Sequence, residues 1–259
     1  MRPILRYGLT GVGAFILFLI VLAPAARVYP VIAEKRPLPI HLYAVGGTVW
    51  HGHADVATAG DLRLEDLSWR MRPFALVLGR LETRLTFELA GQQLQGTVGR
   101  RFGGPFYLHD VSARLPLSQI EPMFTRAGMG LQGEIALELD EAEVVDHAIS
   151  VLRGRFTVSN AAIGAPLNLA LGSYEMDLTS EGGIVRGVLR DGGGPLRLEG
   201  VVTLKPDGSY QLTAQFAARD ANRPELIQAL NMVGTPGPGG TVTVSRTGRL
   251  PLAKLLAAL

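Results

Sequence analysis

The residue types that most often do chemistry are sparse in this chain and poorly spaced for it. His51-Gly52-His53 is the densest pair. On a strand both imidazoles would point to one side. A zinc site needs a third and a fourth ligand, and His41, His109 and His147 stand at no ligand spacing from each other. The pair therefore reads as two exposed rings on an edge or loop. Asp140-Glu141-Ala142-Glu143 with Asp146 gathers carboxylates but lacks the glycine and regular spacing of a calcium loop. It reads as a solvated hairpin tip. Asp191-Gly192-Gly193-Gly194-Pro195 is a flexible acidic turn without the strand-to-helix context that cradles phosphate. No nucleophile elbow, P-loop or dinucleotide fingerprint occurs. Absence of cysteine removes thiolate chemistry, disulfides and cysteine zinc sites. This inventory implies no catalytic residue, no metal and no cofactor.

Composition narrows the class further. Of 259 residues, 47% are apolar and 19% charged, which excludes a disordered chain. Only one stretch is long and apolar enough to span a bilayer, so a polytopic membrane protein is excluded as well. The surplus of 25 basic over 23 acidic residues equals Arg2 plus Arg6. The remainder is neutral, which argues against nucleic-acid binding. Thirty-two glycines and 16 prolines without a collagen-like period suit short strands joined by turns.

The elements that would position any functional group begin at the amino terminus. Tyr7 to Ala26 carries no charge and is flanked by Arg6 and Arg27. At 1.5 Å per residue it matches a hydrocarbon core of about 30 Å. Residues 1–26 thus read as a short amino terminus plus a membrane anchor, with Tyr7, Phe15, Leu17, Phe18 and Leu22 among its lipid-facing side chains. Tyr7 and Tyr29 are placed to mark the two interfaces. Ala23-Pro24-Ala25 has the small-x-small form of a leader cleavage site, but the length of the run and the proline favour a retained anchor. Residues 27–39 read as an extended spacer because of Arg36-Pro37-Leu38-Pro39.

From residue 40 to 259 the dominant period is two, the mark of antiparallel sheet with one face buried. Leu81, Thr83, Leu85, Phe87 and Leu89 alternate with Glu82, Arg84, Thr86 and Glu88; Leu131 to Leu139 repeats the pattern. Leu196–Leu204 and Tyr210–Phe216 flank Lys205-Pro206-Asp207-Gly208-Ser209, a hairpin turn. Two short helices are predicted: one at Ser118-Gln119-Ile120-Glu121, a capping-box sequence, and one over Pro224 to Met232 with Gly234 as C-cap. A last strand spans Thr241 to Ser245. Leu78-Gly79, Gly96 and Gly104-Pro105 echo Leu171-Gly172, Gly187 and Gly194-Pro195, so residues 46–115 and 133–204 read as copies of one β unit. Trp50 and Trp69, each on a strand pattern beside glycine, serve as core or groove anchors.

Taken in order, several segments resemble the type II secretion system protein N family. Gly46-Gly47-Thr48-Val49-Trp50-His51-Gly52-His53-Ala54 is similar to its G-x-L/V-W-x-G-x-A signature. Leu67-Ser68-Trp69-Arg70-Met71-Arg72-Pro73 is similar to its W-x-x-x-P run. Gly154 to Ala161, Gly194 to Gly200, Leu204 to Tyr210 and Leu226 to Gly234 follow its later segments. Departures are Val158, where an aromatic is common, and the histidines beside Gly52. The resemblance implies a non-enzymatic, single-pass inner-membrane protein with a cytoplasmic amino terminus and a periplasmic body. Its partners would be other secretion components, the inner-membrane platform and the secretin, with the phospholipid bilayer held through the anchor.

The body is also similar to the β-groove modules of membrane-tethered lipid-handling proteins. Two functions follow. In the first, sheet edges contact other secretion components. In the second, a trough binds lipid, lined by Leu81, Leu85, Phe87, Leu196, Leu198 and Phe216. Alternation suits a trough and a filled sandwich equally. Trp50, Trp69, Leu85, Phe87, Leu198 and Phe216 form the candidate binding face or structural anchors.

Overall fold

Sequence alternation builds sheet almost from one end of the chain to the other. The computed structural model describes residues 11–249 except 12, 14, 16–17, 20, 36–39, 60–61, 90, 125–129, 146–147, 166–167, 221–225, 229 and 231–234. The protein is mainly β, with antiparallel strands and few helices. It divides into two units, Met1–Gly91 and Gln92–Leu259.

In the first unit, Gly11, Gly13, Phe15, Phe18, Leu19 and Val21 are helical, and the helix stops at Leu22, whose N–H donates to Phe18 O at 2.9 Å. Pro24 has no N–H to continue it. The predicted anchor therefore loses its last residues, Ala23–Ala26, to other structure. Among the described residues no helix is long and apolar enough to cross a membrane. Ala25–Lys35 is a second helix, α1, where an extended spacer from residue 27 is expected. The Pro24 carbonyl accepts from the N–H groups of Arg27 and Val28, and Ala25 is buried. Tyr29 accepts the Leu42 N–H on its hydroxyl at 2.8 Å. These ties hold a helix that contains Pro30. Residues 36–39 lie outside the described set.

Strands β1 (His41–Gly47), β2 (His51–Ala59), β3 (Leu62–Met71) and β4 (Arg80–Leu89) then follow as an antiparallel meander, with a short helix α2 (Pro73–Val77) between β3 and β4. Among the described residues, the buried ones of this unit's sheet are Ala54, Ala57 and Leu67 on β2 and β3, with Glu82 and Thr83 on β4. The predicted alternation of β4 fails at its start. Leu81 is 40% exposed and Glu82 is buried, because Glu82 accepts a hydrogen bond from Arg72 at 2.7 Å.

The second unit is itself an antiparallel meander of β5 (Gln92–Arg101), β6 (Phe106–Pro116), β7 (Leu131–Val145), β8 (Ala148–Ile163), β9 (Leu169–Glu181), β10 (Ile184–Asp191), β11 (Leu196–Leu204) and β12 (Ser209–Ala218). Strand β14 (Thr241–Arg249) pairs with β12, and the two-residue β13 (Thr235–Pro236) pairs with β14. Helix α3 (Leu117–Phe124) links β6 to β7. It opens one residue before Ser118, so Ser118 lies inside the first turn instead of capping it. Glu121 is buried and accepts the Leu131 N–H at 3.0 Å.

The β11–β12 hairpin forms as its sequence dictates, with Leu204 opposite Tyr210 and Leu198 opposite Phe216. Asp140–Glu143 lies within β7 and not at a hairpin tip. A bulge between Leu139 and Glu141 switches the inward side from the odd residues to Ala142, which is buried. Leu226, Ile227, Gln228 and Leu230 are helical as expected, while Gly234 and Leu252–Leu259 lie outside the described residues. Leu226 and Leu230 pack on Leu169, Leu196 and Val242, and this cluster is the main core.

Candidate functional site

The most tightly built feature of the first unit is the Thr48–Trp50 turn between β1 and β2. Thr48 Oγ1 accepts the His51 N–H at 3.1 Å, and the Thr48 N–H donates to His51 O at 2.8 Å. Gly47 has φ of 77°, and a Cβ there would meet His51 O at 2.5 Å, so the turn requires glycine. Trp69 on β3 lays its indole across Gly52, where any Cβ would overlap the ring. Its Nε1 donates to Val49 O at 3.0 Å. Val49 N–H in turn donates to Ala23 O at 3.0 Å, and Pro24 forms an antiparallel bridge with Thr48. The chain leaving the amino-terminal helix is thereby stitched directly to the sheet.

Beside this turn, at the same end of the strands, α2 projects Phe74 and Val77, each 85% exposed, and Leu78, 76% exposed. A cavity of about 560 Å³ lies against this segment and is lined by Met71, Pro73, Phe74, Ala75 and Leu78 together with His51, Arg70, Arg72, Arg80 and Glu82. Sequence reasoning named Leu78 only as part of a motif and passed over Phe74 and Val77. The available signal was Pro73 to Leu78, an unbroken apolar run that ignores the period of two and lies between arginines.

In the second unit the two faces of the sheet differ. Leu137, Phe156, Met176 and Leu189 are register partners across β7 to β10 and are only half-buried. The opposite face carries an ion-pair ladder. Arg155 Nε lies 2.7 Å from Glu175 and 3.0 Å from Asp177, and Arg190 lies 2.5 Å from Asp177. Near it is a depression of about 620 Å³ lined by charged groups including Glu138, Asp140 and Arg153.

The Asp191 turn is tied down: Asp191 accepts from Arg219 Nη2 and from the Gly193 N–H. The Arg219 bond holds its carboxyl below the usual carboxylate range. At the β11–β12 turn, the Ser209 hydroxyl and amide, then Arg249, bring Asp207 down to about 2. Burial, then nearby Asp191, pushes Tyr174 up to about 12, and its hydroxyl donates to Leu171 O at 2.7 Å.

The predicted site residues fall into separate groups. Trp69 and Leu85 are register partners on β3 and β4, with half-buried Phe87 farther along β4. Trp50 lies in the β1–β2 bend and not on a strand; its carbonyl accepts the Met71 N–H at 2.7 Å. Leu198 and Phe216 pair in the second unit, where Leu196 and Phe216 belong to the core around Leu226. Of the anchor residues, Phe15 and Phe18 are helical and exposed, and Leu22 is exposed in the turn that follows. Tyr7 and Leu17 lie outside the described residues. His51 and His53 are exposed on β2, and among the described residues no group of three or more His, Asp or Glu side chains could hold a metal ion.

Comparison with known proteins gives a consistent picture. Residues 39–245 match the family model of type II secretion system (T2SS), protein N. The chain is similar to the type II secretion system protein N of Vibrio cholerae serotype O1, 29% identical over 92% of this chain and 98% of the relative. It is 24% identical to the protein of that name from Aeromonas hydrophila, over 92% of this chain and 95% of the relative. The Pectobacterium carotovorum protein N is 26% identical over 93% and 96%. No solved structure matches the chain.

Proposed function

The chain belongs to the type II secretion system protein N family, and on that premise we propose that it is a bitopic inner-membrane component of a type II secretion system. It fixes a periplasmic β domain beside the machinery that carries folded proteins across the outer membrane. Its work is positional, and its partners are the inner-membrane platform and the secretin. One observation supports this most directly: the Ala23 carbonyl and Pro24 are bonded to the Thr48–Trp50 turn, so the apolar amino-terminal segment meets the sheet without slack. From Tyr7 to Leu22 the run is uncharged for 16 residues, within one residue of the about 17–25 that suffice to span a bilayer. Phe15, Phe18, Leu19, Val21 and Leu22 are all more than half exposed, as lipid-facing side chains would be.

A gene deletion in the native host tests this reading. Exported proteins are quantified separately in medium and periplasm. Their retention in the periplasm, reversed by complementation, is the expected result. Normal export together with altered outer-membrane lipid composition would overturn it and favour a second reading, a tethered lipid-binding sheet. That alternative draws support from the half-buried row Leu137, Phe156, Met176 and Leu189, which lines one face of the second unit as an acyl chain would require.

A further inference from the structure

Phe74 and Val77 at 85% exposure and Leu78 at 76% place three large apolar side chains in water within six residues. Scattered exposed hydrophobes are ordinary, but a cluster on a projecting turn marks an interaction surface. Three observations identify the occupant. First, β1 ends, β2 begins, β3 ends and β4 begins at one end of the meander, so α2 and the Thr48–Trp50 turn share that end. Second, the Ala23–Pro24 junction is bonded to that same turn. Two strand spacings, about 10 Å, separate β2 from β4, so the exit of the amino-terminal helix and α2 are close neighbours. Third, Arg70, Arg72 and Arg80 surround the cluster with Glu82 as the one acid, and Glu82 is already paired with Arg72. Apolar side chains ringed by arginine suit a surface of anionic headgroups over acyl chains.

We propose that Phe74, Val77 and Leu78 dock into the bilayer leaflet from which the amino-terminal helix emerges, giving the first unit a second point of membrane contact. This inference rests on the reading of the amino-terminal segment as an anchor. The side chains reach the boundary between headgroups and acyl chains, about 5–10 Å deep. The arginines stay at the phosphate level.

The absence of cysteine permits a direct test on the full chain reconstituted in phosphatidylethanolamine–phosphatidylglycerol vesicles. Val77→Cys, Phe15→Cys and Arg63→Cys are each labelled with an environment-sensitive fluorophore. Brominated phospholipids of known bromine depth serve as quenchers. The Arg63 label sits at the far end of β3 and reports water. The expected result is a blue-shifted Val77 label, quenched by shallow bromines and reverting towards the Arg63 spectrum when Phe74→Ser and Leu78→Ser are added. A Val77 label that matches Arg63 while Phe15 is quenched by deep bromines overturns the docking and leaves the anchor standing. Loss of quenching at Phe15 alone overturns the anchor, and with it docking beside a spanning helix, while showing that the Val77 segment still meets lipid; loss at both overturns both. A blue shift at Val77 without quenching means burial against protein and also overturns the lipid assignment.

Discussion

Trp69 does two jobs with one side chain. Its ring fills the space that Gly52 leaves open, and its Nε1 holds the Val49 carbonyl. Trp69→Phe keeps most of the ring and loses the bond, which should cost about 1 kcal/mol. Gly52→Val forces the ring away and should cost about 1–3 kcal/mol by overpacking. Thermal unfolding followed by circular dichroism checks both, since Trp69→Phe removes one of the two tryptophans that fluorescence would follow. Asp207 gives a pH signature instead. Its folded pKa, about 2 against an ordinary 3.8, is depressed, so its contribution is complete above the ordinary value and lost as pH falls through about 2. The unfolding midpoint of Asp207→Asn should therefore fall less between pH 4 and 2 than that of the parent. Asn160 shows what a family motif meant. It has φ of 53° at the bulge between Val158 and Ala161 in the β8–β9 pairing, a conformation asparagine tolerates and valine resists. Asn160→Val should cost about 1–2 kcal/mol, and Asn160→Gly far less, by the same unfolding assay.

Among the elements, the strands with clean alternation were legible and the amino-terminal region was not. The β11–β12 hairpin carried every local signal, from Pro206-Asp207-Gly208 to matched apolar faces, and tertiary contacts agreed with them. Helix α1 was hidden by Arg36-Pro37-Leu38-Pro39, which reads as an extended spacer, and it carries Pro30 inside it. Its stability comes from Tyr29 and Leu42, a contact that no local pattern encodes. Pro30→Ala should stabilise the unit by up to about 3 kcal/mol, the cost of proline within a helix, measured as a rise in unfolding midpoint. Strand glycines were equally opaque. Gly99 lies under the Tyr107 ring and Gly248 under Tyr210, repeating the Gly52–Trp69 arrangement. Composition registered these glycines only as turn formers. The phase switch in β7 and the burial of Glu82 escaped for the same reason: a bulge and an ion pair are decided by neighbouring strands.

At the scale of the molecule, family and fold class were legible because tryptophan and glycine punctuation recurs in order over nearly the whole chain. The candidate site was legible only where such a motif touched it. Gly46 to Ala54 and Trp69 pointed to the junction, whereas Phe74, Val77 and Leu78 belong to no alternating pattern. If the junction transmits position, its slack matters more than its sequence. A short Gly-Ser insertion between Leu22 and Ala23 should leave the β domain folded, as judged by unchanged unfolding, and lower export towards the level of the deletion strain.

The stitch at Ala23 also sets an order of events. The Val49 N–H donates to the Ala23 carbonyl from a turn that the Trp69 indole and the Met71 N–H hold in place. Those residues leave the ribosome about fifty positions after Ala23, which at roughly 5–20 residues per second is a delay of several seconds. For that interval each new chain carries a finished amino-terminal segment and an unfinished mount. On the proposed anchoring, the first unit therefore takes its fixed attitude late, after the amino-terminal segment has been made, and a chain that stalls before Trp69 would be tethered but unaligned.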